Sequence, residues 1–104
     1  DIAQQIFRIC VSEIERFPIL GKSFYENGPL MGQSKLIEYF KYAQQQGFLE
    51  IEDLYLAADQ FTELCKADLY TKALFGIQQK FTDAEIERVA EGVVQIFLAK
   101  YGNC

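Results

Sequence analysis

The stretch TDAEIERVAEGVVQIFLAKY, residues 82–101, decides the fold. Projected on a helix at about 100° per residue, its apolar side chains cover roughly 200° of the circumference. A helix that packs on one core needs an apolar stripe only a little over ~100° wide. We therefore expect a second apolar partner along this helix, supplied by another copy of the chain. The apolar positions are Ile86, Val89, Ala90, Val93, Val94, Ile96, Phe97, Leu98 and Tyr101.

The first turn of this helix carries its own start signal. Thr82 and Glu85 have the Ser/Thr-x-x-Glu spacing of a capping box, in which each side chain accepts a hydrogen bond from the other residue's backbone N–H. Phe81, just before the cap, can pack on Ile86 as a hydrophobic staple. These residues predict a helix that begins at Thr82.

Helical periodicity extends through the rest of the chain. Apolar residues recur every three or four positions along residues 2–17, 30–46 and 54–75. Pro18 ends the first of these helices and can open a short second one, which ends at Gly28. Gly47 closes the helix 30–46 in a Schellman motif with Phe48, and Gly76 ends the helix 54–75. The sequence therefore predicts an all-α domain of five helices.

Length and composition allow one globular domain. The chain has 104 residues, of which 50% are hydrophobic and 24% charged. No apolar run approaches the ~20 residues of a membrane span, and the first residues lack a signal-peptide pattern. The sequence begins with Asp1, and the helical periodicity of its apolar residues is already present there. We therefore expect it to be a piece of a longer protein.

Charge and cysteine content restrict the partners and the compartment. The net charge is −5 and the basic residues are scattered, whereas a nucleic-acid surface needs clustered cations. Cys10, Cys65 and Cys104 have no CxxC spacing. The first two lie on apolar faces, where a reduced thiol behaves as a small hydrophobe. This pattern indicates a reducing cytoplasm. We expect no membrane partner, because no apolar run is long enough to span a bilayer.

Catalytic patterns are missing from the sequence. There is no histidine, which excludes Ser-His-Asp triads and histidine metal sites, and there is no GxGxxG or P-loop pattern. We interpret the carboxylates as charges at helix N-termini and on solvated faces. The prediction is a protein that is not an enzyme and has no cofactor and no metal. A histidine-free enzyme that relies on Glu or Tyr remains an alternative.

Two segments near the N-terminus resemble a known family. Residues 12–18, SEIERFP, and 23–29, SFYENGP, are similar to the E-x-x-R-F-P…F-Y-E-x-G-P signature of TetR-family regulators, in the C-terminal domain type called AefR-like. QGFL at 46–49, AADQF at 57–61, KADL at 66–69 and FLAKYG at 97–102 follow in the same order. The order and spacing of these motifs carry the resemblance, which spans nearly all of the chain.

The resemblance implies the regulatory part of a bacterial transcriptional repressor. In such proteins an N-terminal helix-turn-helix domain binds DNA, and the C-terminal helical domain dimerises and binds a small effector. The last two helices pair with their copies in a four-helix bundle. The DNA-binding domain is expected outside residues 1–104, so DNA would be contacted only through it. A free-standing helical module that binds a different protein is the alternative.

The predicted dimer face combines the last two helices. Gly92 costs about 1 kcal/mol in a helix interior relative to Ala, and close approach of a partner helix would compensate. The fourth helix has two apolar faces, the second formed by Leu56, Ala67 and Leu74. The predicted interface residues are Ala58, Leu69, Ala90, Gly92, Val93, Val94, Phe97, Leu98 and Tyr101.

The predicted effector site is apolar and rich in aromatic residues. Such side chains can line a cavity for a small, mostly apolar ligand, with tyrosine hydroxyls to orient it, or they can simply fill the core. The candidates are Phe7, Cys10, Phe24, Tyr39, Phe40 and Phe61. Asp68 lies on an apolar stripe, so we expect it to pair with Lys72 one turn later or with a residue across the dimer.

Overall fold

The helices follow one another along the chain with short connections. The structure, a computed structural model, describes residues 1–78 and 80–103, and the side chains of 1–16, 34–78 and 80–103. Its helices are α1 (Ile2–Gln45), α2 (Leu54–Cys65), α3 (Leu69–Leu74) and α4 (Asp83–Tyr101). Within those residues the only β-pairing is a single bridge between Leu49 and Gly102. The predicted all-α class is confirmed.

The two described segments of α1 lie side by side. A straight helix of 44 residues would be about 66 Å long, whereas the longest extent of the molecule is 41 Å. The Tyr39 hydroxyl also donates a hydrogen bond to Gln5 Oε1 at 2.5 Å. Residues 2–16 and 34–45 therefore pack as separate segments. The predicted boundaries at Pro18 and Gly28 lie outside the described side chains.

The end of α1 confirms the predicted role of Gly47. Its φ is +85°, and its N–H donates to the Gln44 carbonyl at 3.0 Å. The next N–H, that of Phe48, donates to the Ala43 carbonyl at 2.9 Å. This pair of bonds is a Schellman motif, and it satisfies carbonyls that the helix end would leave free.

Gly76 and Thr82 end and begin helices as predicted. Gly76 has a φ of +71°, and the Ile77 N–H donates to the Lys72 carbonyl at 2.9 Å. At α4, Thr82 Oγ1 accepts the Glu85 N–H at 3.1 Å, and Glu85 Oε1 accepts the Thr82 N–H at 2.9 Å. Both halves of the capping box are therefore present.

The predicted helix 54–75 is wrong in one respect, because it breaks into α2 and α3. The Leu69 N–H donates to the Ala67 carbonyl at 2.7 Å, and Asp68 between them has φ 66° and ψ −51°. This is the rare γ-turn with a positive φ, which is strained. Cys65 and Leu69 are buried on either side of it. The apolar periodicity therefore continues through the break and conceals it in the sequence.

Three aromatic rings form the centre of the core. Phe97 on α4 stacks on Phe40 of α1, with ring centroids 4.9 Å apart. Phe61 of α2 meets both rings edge-on, at 5.8 Å from Phe40 and 5.3 Å from Phe97. Helix α4 packs against both α1 and α2. Its inner surface therefore has two neighbours within the same chain.

The connector after α1 ties the C-terminus to the body of the domain. The Glu50 N–H donates to the Tyr101 carbonyl at 2.8 Å, and the Asn103 N–H donates to the Phe48 carbonyl at 3.0 Å. These bonds flank the bridge between Leu49 and Gly102. Residues 48–51 form a connector between α1 and α2 rather than a sheet strand.

Candidate functional site

The predicted effector residues lie in different environments. Cys10, Phe40 and Phe61 are fully buried, and the two phenylalanine rings pack on each other and on Phe97. All three belong to the buried core of the domain. Phe24 lies outside the described side chains. Phe7 and Tyr39 are half-buried and keep some accessible surface.

The Tyr39 hydroxyl lies where the two described segments of α1, residues 2–16 and 34–45, contact each other. The hydroxyl bonds to Gln5 Oε1, and the ring lies 6.2 Å from Phe40 and 6.5 Å from Tyr42. Burial raises the pKa of the Tyr39 phenol, and Tyr42 raises it further. The phenol therefore stays protonated at neutral pH and acts as a hydrogen-bond donor.

An open groove runs between the start of α1 and α4. Its volume is about 510 Å³, within the range of small-molecule sites. Phe7 and Val94 are half-buried in it, while Arg8 and Glu91 are exposed. An apolar floor bordered by charges suits a ligand with an apolar body and a polar end. The lining residues are Ala3, Gln4, Phe7, Arg8, Glu91, Val94 and Gln95.

Sequence reasoning missed most of this groove. Phe7 came from the predicted effector set and Val94 from the predicted dimer set; the other lining residues were not anticipated. Residues 3, 4, 7 and 8 share one face of α1, and 91, 94 and 95 share one face of α4. The spacing of these residues in the sequence places each set on one helix face. Only the folded structure shows that the two faces lie against each other.

Five of the predicted dimer residues are buried within their own chain. Each is at most 3% exposed, so its side chain has almost no surface to offer a partner. These residues are Ala58, Leu69, Ala90, Val93 and Phe97. The wide apolar arc of α4 is explained largely by α1 and α2, which cover it from two directions. Of the other predicted interface residues, Gly92, Leu98 and Tyr101 are half-buried and keep accessible surface, while Val94 lines the groove. The interface itself stays a prediction.

Other large apolar side chains remain uncovered on α2, α3 and α4. Leu56 and Leu74, from the second apolar face that the sequence predicted, are 51% and 64% exposed. Phe75 and Ile77 follow Leu74 around the Gly76 turn and are each 72% exposed. Ile96 on α4 is also exposed. Sequence reasoning did not single out Phe75, the last residue of the predicted helix, or Ile77, which follows Gly76.

Gly92 leaves open space on α4. A Cβ built at this position would meet no heavy atom within 4 Å beyond its immediate helical surroundings. The described residues therefore give no steric reason for glycine at this position. Close approach of another helix would give one.

Asp68 connects the turn that follows α2 to helix α4 through an ion pair. Its carboxylate pairs with Lys72 Nζ at 3.3 Å, as predicted, and also with the guanidinium of Arg88. The Asp68 side chain is 38% exposed, so solvent screens both pairs. The pairs link the strained turn to α3 through Lys72 and to α4 through Arg88.

The Glu85 carboxylate accepts hydrogen bonds from Thr82 and Gln78 at the start of α4. The Thr82 N–H lowers the pKa of the Glu85 carboxyl, and the Gln78 amide, 3.0 Å from Oε2, lowers it further. This network links the loop after α3 to the capping box. Across the described part of the chain, no three Cys, Asp or Glu side chains gather as metal ligands. None of the described helices has the length and hydrophobicity of a membrane-spanning segment.

Comparison with known proteins identifies the family. A family model described as the C-terminal domain of AefR-like transcriptional repressors matches residues 1–103. No curated protein and no solved structure matches significantly. The match covers nearly the whole sequence and agrees with the all-helical fold and with the order of motifs noted above. The chain therefore belongs to the AefR-like C-terminal domains of TetR-type transcriptional repressors.

Proposed function

We propose that this chain is the effector-sensing and dimerisation domain of a bacterial transcriptional repressor. Two copies associate through their C-terminal helices, and a small, mostly apolar effector changes the DNA affinity of an N-terminal helix-turn-helix domain that precedes this region. The effector would act by favouring one arrangement of the helices over another. A repressor works where the DNA is, so the proposal places the protein in the cytoplasm.

The exposed apolar side chains of α2, of α4 and around the end of α3 carry this proposal. Monomeric domains rarely expose contiguous large apolar side chains, and such patches mark interaction sites. Leu74, Phe75 and Ile77 are exposed around one turn, and Ile96 is exposed on α4. Membership of a family of repressor regulatory domains favours a second copy as the occupant of this surface.

Gly92 provides the sharpest test of the dimer. Gly92→Leu adds a side chain where the chain itself leaves space, and leucine is a better helix former than glycine. We therefore expect the variant to fold but to dimerise at least ~10-fold more weakly, a loss of about 1.4 kcal/mol in association. Sedimentation velocity over a concentration series measures the dissociation constant.

The control places the same side chain elsewhere on α4. Ala84 is exposed in the first turn of the helix, so Ala84→Leu should fold and dimerise as the wild type does. Equal dimer affinity for all three proteins would show that no partner helix packs on Gly92. A wild type that is monomeric at micromolar concentration would refute the dimer and favour the interaction-module alternative.

The groove between α1 and α4 is our proposed effector site. Its volume suits a small molecule, Phe7 and Val94 offer apolar contacts, and Arg8 can pair with an anionic end of the ligand. One wall of the groove belongs to α1 and the other to α4. A ligand wedged between them would change the spacing of α1 and α4, which is the coupling that the proposal requires.

Anilinonaphthalene sulfonate, an apolar anion whose fluorescence rises in apolar sites, is a suitable probe. We expect Val94→Glu to weaken its binding ~10-fold or more, since the change adds negative charge beside the apolar floor. Tyr55→Ser is the matched control, because it removes an exposed aromatic ring away from the groove. Unchanged affinity in Val94→Glu would place the effector elsewhere.

A further inference from the structure

Two cysteines from different helices meet in the core. Cys10 lies on α1, and Cys65 is the last residue of α2, 55 positions later. Their Sγ atoms are 3.1 Å apart, and neither residue has any exposed surface. Both are free thiols in the structure. This close pair of thiols belongs neither to the groove nor to the exposed apolar side chains.

We propose that Cys10 and Cys65 are an oxidation site, at which a hydroperoxide converts the thiol pair into an intramolecular disulfide that locks α1 to α2. A disulfide bond is about 2.05 Å long, so the sulfurs need to approach by only about 1 Å. Each thiol lies on a helix whose backbone is held by packing. The geometry thus pre-positions one specific pairing among those that three cysteines allow.

The reaction balances with the hydroperoxide as the only oxidant. One thiol loses its proton and attacks the distal peroxide oxygen, which breaks the O–O bond and gives a sulfenic acid and water or an alcohol. The second thiol then attacks the sulfenic sulfur, which forms the S–S bond and releases water. Two S–H bonds are lost in total, and the hydroperoxide is reduced by two electrons.

The environment of the pair makes it slow to react in the folded structure. The contact with Cys10, burial, and the nearby Glu13 carboxylate all raise the pKa of the Cys65 thiol. A protonated, buried thiol is a poor nucleophile. Oxidation therefore requires local opening, which proteins sample below the global unfolding energy. The strained turn at Asp68 immediately follows α2 and is the natural place for that opening.

The cross-link would fix the distance between α1 and α2 at one end of α2. Cytoplasmic disulfides are typically transient and redox-sensing rather than structural. In a repressor domain that works by helix rearrangement, such a lock would hold one conformation under oxidative conditions. Only this regulatory consequence rests on the proposed function; the cross-link itself does not depend on dimerisation or on effector binding.

The test uses Cys104→Ser, which removes the third cysteine and leaves the pair intact. The folded protein is treated with hydrogen peroxide, remaining thiols are alkylated, and the digest is analysed by mass spectrometry. We expect one cross-linked species that joins the Cys10 and Cys65 peptides, lighter than their sum by two hydrogen atoms and cleaved by dithiothreitol. We also expect a higher melting temperature for the oxidised protein than for the reduced one.

Two controls make the result specific. The same treatment in concentrated urea should give less of this cross-link, because unfolding separates the thiols. The variant Cys65→Ala with Cys104→Ser should give no intramolecular cross-link. Two alkylated thiols after prolonged oxidation, sulfinic acids without a cross-link, or disulfides only between chains would each overturn the proposal. The readout is covalent, so it stands apart from a failure of the dimer or effector tests.

Discussion

Phe97→Ala removes the ring that holds the aromatic core together. In the structure this ring stacks on Phe40 at 4.9 Å and meets Phe61 edge-on at 5.3 Å. It is 1% exposed, so its contacts are made within its own chain. The sequence pattern alone would instead place Phe97 against a partner, where the same change would produce a folded monomer. The two views predict different outcomes for one substitution.

The expected loss is large relative to the stability of a small domain. Truncating a buried phenylalanine to alanine costs about 3–5 kcal/mol, and each aromatic pair contributes roughly 0.5–1.5 kcal/mol beyond area burial. Domains of this size are stable by about 5–15 kcal/mol. Phe97→Ala should therefore lose a large fraction of the free energy of unfolding. Phe97→Leu, which keeps most of the apolar volume, should lose less than ~2 kcal/mol.

Urea unfolding followed by circular dichroism measures these losses. The series should be repeated at several protein concentrations, since dimerisation makes apparent stability concentration-dependent. Tyr55→Ala is the control, because it removes an aromatic ring that is 72% exposed. It should change the free energy of unfolding by no more than about 0.5 kcal/mol. A Phe97→Ala protein that unfolds like the wild type would refute the core assignment.

Three further outcomes follow from local geometry. Glu85→Gln should destabilise the domain at neutral pH, and the difference from the wild type should vanish as pH falls. The reason is that the folded protein lowers the pKa of Glu85, so the ionised carboxylate adds stability above the unfolded-state pKa of ~4.3, and this stability is lost as pH falls through the folded-state pKa. Glu87→Gln, at an exposed position, is the control for the loss of one charge. Asp68→Asn should cost no more than about 1 kcal/mol, and high salt should reduce the difference, because its ion pairs are partly exposed. Gly102→Ala should cost roughly 1–3 kcal/mol, because its Cβ would lie 2.5 Å from the Leu98 carbonyl oxygen; denaturant unfolding measures all three.

Helix ends could be predicted because their signals are local. The Schellman motif at Gly47 and the capping box at Thr82 each depend on hydrogen bonds within a few residues. The break at Asp68 could not be predicted in the same way. Buried Cys65 and Leu69 keep helical spacing through it, and the ion pair with Arg88 comes from another helix.

Surfaces were harder to predict because they depend on which helices meet. The apolar arc of α4 does indicate two neighbours, but both can come from the same chain, and α1 and α2 cover Val93 and Phe97. The groove beside Phe7 likewise requires the start of α1 to lie against α4. The exposed second face at Leu56 and Leu74 was visible in the sequence as apolar residues opposite the core.

The central proposal is that a second copy of this chain covers the apolar surface on α2, α3 and α4. Light scattering of the purified domain at micromolar concentration measures its molar mass directly. We expect twice the 12.0 kDa mass of one chain. A species of 12.0 kDa across the accessible concentration range would contradict the proposal.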